Sequence, residues 1–267
     1  MKTIADLMQL TGRRALVTGA AGKIGRVIAH TIAELGGDLI LTDIPGSNHE
    51  DLTEEIRNLY PVNIVNINCD LEDQNDRFRL VELIVNDNVG LDVLVNNAAF
   101  VGTSDLTGWA TSFEQQSVET WRRALEVNLT AAFDLSKGLA LALQKSGHGS
   151  IVNIASIYAS LGPDYSLYEN TEMGNPAAYS VSKGGLIQLT RWLATTLAPQ
   201  VRVNAISPGG VYRNQPDVFV NRYKKRTPLA RMATEEDFKG AIAFLASDLS
   251  SYVTGENLKV DGGWSDW

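Results

Sequence analysis

Cysteine is nearly absent from this 267-residue chain, which contains only Cys69. A single thiol excludes an internal disulfide and is typical of a reducing compartment. Long apolar runs are absent as well, because no stretch of 18 uncharged apolar residues occurs, and this excludes a predicted transmembrane helix. The first ten residues include Asp6 and lack the apolar run of a signal peptide, so we expect a cytoplasmic location.

Positive charge is in short supply, because 23 lysines and arginines stand against 31 aspartates and glutamates, a net charge of −8. This balance argues against nucleic acid or an anionic membrane as a partner. Apolar residues make up 44% and charged residues 20%, which is typical of a globular chain that buries a substantial core. Linkers, repeats and low-complexity tracts are lacking, so the sequence predicts one domain over residues 1–267. No metal site is predicted.

Short β-branched runs alternate with longer helical patterns along the whole chain. Mostly apolar strands separated by helices predict a parallel sheet that is covered by helices on both faces. Two long connections, 100–117 and 162–176, follow strands at the edge where open α/β sheets bind ligands. The predicted strands are 15–18, 39–42, 64–68, 93–96, 151–155, 201–206 and 258–260, and the predicted helices are 24–35, 52–59, 76–85, 121–143, 177–197 and 235–245.

A glycine-rich turn joins the first strand to the first long helix, with the sequence Thr18-Gly19-Ala20-Ala21-Gly22-Lys23-Ile24-Gly25. Glycines at such a junction let backbone N–H groups approach a pyrophosphate at the helix amino terminus. A plain flexible turn is the alternative, but the strand before it and the helix after it favour a dinucleotide site. Asp43 ends the second strand, where a carboxylate would accept hydrogen bonds from the adenosine ribose and repel a 2′-phosphate. Its alternative role is to cap a turn.

Polar residues also follow the later strands. Asp70 could accept a hydrogen bond from an adenine amino group, and the small residues of Asn97-Ala98-Ala99 would let a flat ring lie against the backbone. Ser156 ends the fifth strand. Asn128 lies within an otherwise apolar helix, where a core asparagine that satisfies backbone groups is the alternative interpretation.

Tyr179 and Lys183 are four residues apart in a predicted helix, which puts the phenol and the ammonium on one face. A free phenol titrates near 10, and a nearby cation favours its ionised form. The pair therefore predicts a tyrosine that exchanges a proton at neutral pH. A tyrosine and a lysine on one helix face are more often ordinary surface residues, so the prediction depends on the other motifs.

Taken in chain order, these motifs resemble the short-chain dehydrogenases/reductases of the short, single-domain branch, over about residues 11–264. Pro208-Gly209 and the closing Val260-Asp261-Gly262-Gly263 complete the match. The resemblance implies a doubly wound Rossmann fold with a seven-stranded parallel sheet. It also implies an oxidoreductase that interconverts a secondary alcohol and a ketone. NAD is the expected cofactor, and NADP is the less favoured alternative.

The same resemblance implies roles for individual residues. Tyr179 would be the general acid and base, Lys183 would lower its pKa and bind the nicotinamide ribose, and Ser156 would hold the substrate oxygen. Asn128 would support a water that relays protons past Lys183. The implied cofactor contacts are Gly19, Gly22, Lys23, Ile24, Gly25, Asp43, Asp70, Leu71, Asn97, Ala98, Ala99, Tyr179, Lys183, Pro208, Gly209 and Val211.

Three departures from the family pattern bear on cofactor and substrate. Lys23 replaces the usual middle glycine of the turn, and its positive charge would tolerate a cofactor phosphate, which weakens the expectation of NAD. Arg213 occupies a position where a threonine often touches the nicotinamide amide. Ser156 and Tyr179 are also further apart than usual, and the extra residues form the polar segment 162–176 beside the substrate.

The segment 210–231 resembles the family's substrate-covering lid and carries six cations. A solvated helix face would explain most of them, but arginine forks suit carboxylate or phosphate, and we expect anion binding first from Arg213. The loops most resemble those of flagellin-modification short-chain dehydrogenases, which work beside nonulosonic sugar biosynthesis. A sugar or sugar phosphate is therefore the implied substrate, and an anionic one would suit Arg213. The candidate substrate contacts are Ser156, Tyr165, Tyr168 and Arg213.

Two other function classes stay open. A sugar-nucleotide epimerase or dehydratase would retain Tyr179 and Lys183 but would normally need extra C-terminal residues, and a non-catalytic dinucleotide sensor would not need the full set of catalytic residues. The resemblance also implies a homotetramer, or failing that a dimer, in which helices 121–143 and 177–197 pair with their symmetry mates. We expect Trp264 and Trp267 to be exposed and to meet a neighbouring subunit.

Overall fold

The computed structural model describes residues 1–101 and 104–267, so two residues of the predicted connection 100–117 lie outside the described residues. Strands and helices alternate in the order that the sequence predicts. The strands are β1 Arg14–Thr18, β2 Asp38–Asp43, β3 Ile64–Asn68, β4 Val93–Asn96, β5 Gly149–Ile154, β6 Val201–Pro208 and β7 Asn257–Val260. The helices are α1 Ile4–Met8, α2 Lys23–Glu34, α3 His49–Leu59, α4 Gln74–Asn86, α5 Val118–Leu125, α6 Ala131–Ser146, α7 Ala177–Leu197, α8 Asp217–Arg226 and α9 Lys239–Ala246.

The seven strands form one parallel sheet in the order β3-β2-β1-β4-β5-β6-β7. β1 pairs with β2 on one side and with β4 on the other. The chain therefore winds outward in one direction from β1 to β3 and in the other direction from β4 to β7. A crevice opens where these directions diverge, at the carboxyl ends of β1 and β4, and open α/β sheets bind their ligands there. The prediction of a doubly wound Rossmann fold is confirmed.

Each central strand feeds two hydrophobic cores, because successive side chains of a strand point to opposite faces. In β1, Ala15 and Val17 pack into the core beneath α2, α3 and α9, whereas Leu16 packs into the core beneath α4, α6 and α7. Both faces are covered by helices, so the strands are apolar without alternation.

Two helices differ from their predicted form. The predicted helix 121–143 begins earlier, at Val118, and a π turn over Glu126–Thr130 divides it into α5 and α6. The predicted helix 235–245 opens with a 3₁₀ turn over Glu235–Phe238, which a capping box at Thr234 fixes before α9 begins. The short helix α1 was not predicted, nor was α8 within the lid-like segment 210–231.

A third group of buried side chains lies outside the sheet layers and is called the roof cluster here. It brings together the lid helix α8, the insertion 162–176 and the C-terminal segment. Its buried members are Ile157, Leu167, Phe219, Val220, Tyr223, Met232 and Trp264. Because the apolar side chains of α8 pack into this cluster, the predicted lid and the predicted insertion form one packed unit.

Candidate active site

A cavity of about 650 Å³ lies at the carboxyl edge of the sheet, at the crevice between β1 and β4. Every residue predicted to contact the cofactor lines this cavity, as do the candidate substrate residues Ser156, Tyr168 and Arg213. Its floor is the sheet edge, and one wall and the ceiling come from the insertion, the segment after β6 and the roof cluster. Sites predicted from distant parts of the chain therefore meet in one place.

The glycine turn occupies one end of the cavity. Gly19 has a φ of 63°, a conformation that glycine adopts without strain. A Cβ atom on Gly25 would lie 2.1 Å from the carbonyl oxygen of Gly19, so no larger residue fits where the turn meets α2. Gly22 is the residue before the first turn of α2, and its backbone is left open to the cavity. A helix amino terminus with no side chain in front of it suits a pyrophosphate.

Asn97 holds this turn in place from the neighbouring strand. Its Nδ2 donates to the carbonyl oxygens of Thr18 and Gly19 at 2.9 and 3.0 Å. The Thr18 hydroxyl in turn accepts from the backbone N–H groups of Asn97 and Ala98 at 3.0 and 3.1 Å. Asn97 thus supports the turn through its side chain, while Ala98 and Ala99 present a small, flat surface to the cavity.

Asp43 borders the same end of the cavity at the end of β2. Its two carboxylate oxygens accept from the backbone N–H groups of Ala21 and Ile44, each at 2.8 Å. A carboxylate oxygen has a second lone pair, so both oxygens can still accept from a ligand hydroxyl. The carboxylate therefore anchors the glycine turn and remains available to a ribose, so the predicted ribose role and the alternative of a turn cap are compatible.

Two cations of α2, Arg26 and Lys23, differ in whether they are free to bind a phosphate. The guanidinium of Arg26 is paired with Glu55. Lys23 is exposed and lines the cavity. Asp70, at the end of β3, accepts from the backbone N–H of Glu72 at 2.9 Å and also faces the cavity.

Tyr179 and Lys183 lie on the cavity face of α7, as their spacing predicts. The ammonium nitrogen of Lys183 lies 6.0 Å from the centre of the Tyr179 ring and donates to the carbonyl oxygen of Ile154 at 2.6 Å. Ser156 stands at the end of β5, and its backbone leads into a 3₁₀ turn over Ile157–Ala159. Phenol, ammonium and hydroxyl thus converge on one end of the cavity.

Burial and neighbouring polar groups act on the pKa of Tyr179 in opposite directions. Burial raises the pKa of Tyr179, and hydrogen bonding from Ser156 and the positive charge of Arg213 oppose that rise. Burial alone lowers the pKa of Lys183 to about 7. The expectation that Lys183 lowers the pKa of the phenol stays a prediction.

Asn128 lies behind the cavity wall and is not one of its lining residues. Its Nδ2 donates to the carbonyl oxygen of Phe100 and to the Ser182 hydroxyl at 3.1 and 3.0 Å, and its Oδ1 accepts from the backbone N–H of Phe100 at 2.8 Å. Ser182 continues the chain of bonds to the carbonyl oxygen of Tyr179 at 2.8 Å. The side chain is thus a satisfied core asparagine, which was the alternative interpretation, and it connects the segment after β4 to α7.

The π turn gives Asn128 a further property. Across this turn the backbone N–H of Ala131 bonds to the carbonyl oxygen of Glu126, five residues back. A π turn shifts the helical hydrogen-bond pattern by one residue and leaves a carbonyl oxygen without its usual donor. A carbonyl oxygen of this kind, next to α7, suits a bound water. The side-chain geometry does not test the expected proton relay.

The far end of the cavity is lined by Tyr168, which the sequence analysis expects there, and by residues that it did not assign to the cavity. The hydroxyl oxygens of Tyr158 and Tyr168 are 2.7 Å apart, and the buried Asn175 lies beside them. Phe219 and Tyr223 of α8 close the cavity from above. Tyr158 is two residues beyond Ser156, a spacing that could have drawn attention to it. Asn175 and the α8 aromatics carry no comparable local signal.

Tyr165 and Trp264 are placed differently from their predictions. The Tyr165 side chain is 64% exposed and lies outside the cavity, because the 3₁₀ turn Tyr165–Leu167 directs Leu167 inward instead. Trp264 is 1% exposed and stacks on Tyr223 at 5.7 Å. The expectation of an exposed indole is therefore wrong for Trp264, whereas Trp267 is 70% exposed.

Four of the six lid cations are paired with carboxylates. Arg226 donates to Asp164 of the insertion at 2.5 Å, and Arg222 lies 3.9 Å from Glu169 of the same insertion. Arg231 pairs with Asp237 at 2.6 Å. Arg213 lies 3.2 Å from Glu235 and is the one of these four that borders the cavity. Most of the basic run therefore joins the lid to its surroundings, and only Arg213 retains a position from which it could meet a substrate.

Within residues 1–101 and 104–267, no group of three or more histidine, cysteine, aspartate or glutamate side chains is arranged to hold a metal ion. In that same part of the chain, no helix has the length and apolarity that crossing a membrane would require. Cys69 is buried as a free thiol, and burial raises its pKa to about 12.

Comparison with known proteins identifies relatives along almost the whole chain. A family model described as enoyl-(acyl carrier protein) reductase matches residues 19–265. The 3-oxoacyl-(acyl-carrier-protein) reductase FabG of Aquifex aeolicus is 35% identical over 261 residues, which cover 96% of this chain and 98% of that protein. The post-translational flagellin modification protein A of Campylobacter coli is 30% identical, with 96% and 99% covered.

Solved structures give the same result. A protein from Beutenbergia cavernae described as an NAD(P)-dependent gluconate 5-dehydrogenase, with NADP bound at low occupancy, superposes with a TM-score of 0.86. Its sequence is 35% identical, and the match covers 98% of this chain and all of that one. The relatives thus share one fold and differ in the substrates that their names state.

Proposed function

Because the chain belongs to the short-chain dehydrogenase/reductase family, an NAD(P)-dependent enzyme family, we propose that it interconverts a secondary alcohol and a ketone on a sugar or sugar-phosphate substrate, with NAD as its cofactor. The observation that carries this proposal is the convergence of Tyr179, Ser156 and Lys183 on one end of a cavity whose other end is a glycine turn. The polar insertion and Arg213, which border the same cavity, support the substrate class.

Tyr179 acts as the general acid and base in this proposal. Its phenolate takes the proton of the substrate hydroxyl during oxidation, and its phenol gives a proton to the carbonyl oxygen during reduction. Ser156 donates a hydrogen bond to the same substrate oxygen, and so it stabilises the charge that develops there. Lys183 holds its ammonium below the phenol, bound to Ile154, and supplies positive charge on the side away from the substrate.

The residues present fit a nicotinamide dinucleotide. Gly19 and Gly25 let the turn pack tightly against Ala98 and itself, and the amino terminus of α2 offers backbone N–H groups for the pyrophosphate. Asp43 would hold the adenosine ribose, Asp70 the adenine, and Pro208, Gly209 and Val211 the nicotinamide end. When bound, the cofactor supplies the hydride chemistry, whereas the protein supplies orientation and charge.

The choice of NAD over NADP depends on Asp43. A 2′-phosphate beside this carboxylate would lose a hydrogen bond and meet a like charge. Arg26 is held by Glu55, whereas Lys23, which the sequence analysis connects with a cofactor phosphate, lines the cavity. The relative with bound NADP makes this choice a matter for direct measurement.

Assembly as a homotetramer, or failing that a dimer, is part of the proposal. Phe133 and Leu141 of α6 and Val181 and Trp192 of α7 expose apolar side chains on the helices expected to pair with symmetry mates. A neighbouring subunit would remove this surface from water. The net charge and the free buried thiol support a reducing, cytoplasmic setting with no nucleic acid or membrane partner.

The test is a coupled measurement of binding and turnover. We expect the purified protein to bind NAD and to reduce it in the presence of a polyol, sugar acid or sugar phosphate, followed by the absorbance of the reduced cofactor. The Tyr179→Phe variant should bind NAD without turnover. A protein that binds NAD and turns over no alcohol would favour the sensor, and one that changes a nucleotide sugar without net NAD reduction would favour the epimerase or dehydratase.

A further inference from the structure

Two phenols form a hydrogen-bonded pair in the wall of the cavity. Tyr158 is supplied by the turn after β5, and Tyr168 is supplied by the insertion 162–176. Their hydroxyl oxygens are 2.7 Å apart, and both side chains line the cavity. The pair exists only because the insertion folds back toward the catalytic strand end.

The hydrogen-bonding capacity of this pair is only partly used. Each phenol has one O–H to donate and an oxygen that accepts. Within the pair one hydroxyl donates to the other, which leaves one O–H without an acceptor inside the pair. The Asn175 side chain lies beside both phenols and acts to lower the pKa of each. The Asn175 oxygen already accepts from the Ser180 hydroxyl at 3.0 Å. Because both phenols line the cavity, the remaining phenolic O–H is within reach of a ligand hydroxyl there.

The surroundings hold the pair rigidly next to the catalytic tyrosine. The Tyr168 ring packs on Phe219 of α8 with ring centres 5.5 Å apart, and the Tyr158 ring meets Trp264 edge-on at 6.3 Å. The insertion is fastened to α8 by the ion pair between Asp164 and Arg226. Tyr168 is also close enough for its hydroxyl to influence the charge on Tyr179.

We propose that Tyr158 and Tyr168, oriented by Asn175, form a hydroxyl-recognition site that binds a second hydroxyl of the substrate close to the carbon that reacts. This inference rests on the proposed function and deepens it, because it selects polyhydroxylated substrates over acyl chains. A substrate hydroxyl both accepts and donates, so it satisfies the free phenolic O–H and uses a phenol oxygen as its own acceptor.

Selection against an acyl chain follows from what would be left unpaired. An alkyl group placed against the pair displaces water from the phenols and offers no acceptor. A buried donor without a partner destabilises the complex, so a site built for a hydroxyl rejects analogues that lack one. The relatives include both an acyl-carrier-protein reductase and a gluconate dehydrogenase, so the two substrate classes are the relevant competitors.

The experiment removes each hydroxyl while retaining its ring. Tyr158→Phe and Tyr168→Phe are compared with Tyr165→Phe, a control in the same insertion whose side chain is exposed and outside the cavity. The probes are D-gluconate and D-mannitol as polyhydroxylated substrates, and cyclohexanol and acetoacetyl-coenzyme A as substrates without neighbouring hydroxyls. We expect KM for the polyhydroxylated probes to rise about tenfold to a hundredfold in the two cavity variants. Values for the other probes, and all values for the control, should stay within about twofold.

A second measurement separates this inference from the proposed function. Calorimetric binding of D-gluconate in the presence of NAD is compared between Tyr179→Phe and the double variant that also carries Tyr168→Phe, because neither protein needs to turn over. Weaker binding in the double variant supports the hydroxyl site, whether or not the wild-type protein oxidises the probes. A wild-type protein that oxidises none of the probes would overturn the proposed function. Equal binding in both, equal losses for all probes, or a wild-type preference for acetoacetyl-coenzyme A would overturn the hydroxyl site.

Discussion

Replacing Asp43 by asparagine should reverse the cofactor preference of this enzyme. Asparagine retains the size of the side chain and one oxygen, but it removes the negative charge at the end of β2. That charge repels a 2′-phosphate and strengthens hydrogen bonds from ribose hydroxyls. NAD should therefore bind more weakly to the variant and NADP more tightly.

The magnitude follows from the contacts that change. A hydrogen bond to a charged group contributes about 1.5–3 kcal/mol, so its loss should weaken NAD binding by about ten- to a hundredfold. Two unit charges ~4 Å apart near a protein surface repel by ~4 kcal/mol before salt screening, so removal of the carboxylate should strengthen NADP binding by at least about tenfold. Together these changes amount to a shift of at least about a hundredfold in the ratio of the two dissociation constants.

The assay measures both dissociation constants by the fluorescence of the reduced cofactors, at low and high salt. Asp43 also accepts hydrogen bonds from the backbone N–H groups of Ala21 and Ile44. Thermal unfolding without cofactor is therefore recorded as a control, because the substitution could also loosen the glycine turn. Lys23→Gln is the matched variant, because Lys23 lines the same end of the cavity with the opposite charge. A wild-type preference for NADP, or an unchanged ratio in Asp43→Asn, would refute the reasoning.

Four further outcomes are expected. Tyr179→Phe should lower turnover by about 10²- to 10⁴-fold with unchanged NAD affinity, and comparable turnover would contradict its role as proton carrier. Burial lowers the pKa of Lys183 from 10.5 to about 7, so between these pH values the unfolded chain binds more protons and the stability of the cofactor-free protein should rise with pH. Lys183→Met should flatten that rise in chemical denaturation at pH 7 and pH 10, and an unchanged slope would count against it. Arg213→Ala should raise KM for an anionic sugar about ten- to a hundredfold and leave NAD affinity unchanged; equal KM values would favour a neutral substrate. Light scattering at micromolar concentration should give a tetramer or dimer that Trp192→Glu dissociates, and a wild-type monomer would contradict the proposed assembly.

The sheet and its ligand edge could be predicted because their signals are local. A strand that is buried on both faces is a short apolar run, and each such run here is followed by a helix. The glycine turn is likewise dictated by close approaches, since a Cβ at Gly25 would collide with the backbone of Gly19. Tyr179 and Lys183 share a helix face through their spacing alone. Each of these features can be deduced from a few consecutive residues.

The parts that escaped prediction depend on contacts between distant segments. Asn128 lies in a π turn whose extra residue leaves no mark on the apolar pattern of the helix. Trp264 is buried because α8 presents Tyr223 and Arg226 to it, and α8 itself has little apolar periodicity in its sequence. The pKa of Lys183 depends on its complete burial beneath the cavity, which its spacing from Tyr179 does not reveal.

The lid cations show how a charge pattern can mislead. Six positive residues in an acidic protein suggested an anionic ligand, yet the insertion supplies Asp164 and Glu169 as partners for two of them. Arg226 also lies 4.4 Å from the Trp264 ring, and its carbonyl oxygen accepts from the Trp267 indole at 3.0 Å. One arginine therefore connects the insertion, the lid helix and the C-terminal segment.

The proposed catalytic residues and the proposed substrate-selecting residues therefore lie in different parts of the structure. The residues proposed for proton transfer and cofactor binding lie on the sheet edge and α7, where the two hydrophobic cores hold them. The residues proposed to choose the substrate lie in or beneath the roof cluster, which has its own core and is joined to the rest by ion pairs and aromatic contacts. Changes in the roof can therefore alter the substrate while the positions of Tyr179 and Ser156 stay fixed. That separation is a physical reason why relatives with one fold can carry names as different as 3-oxoacyl-(acyl-carrier-protein) reductase and gluconate 5-dehydrogenase.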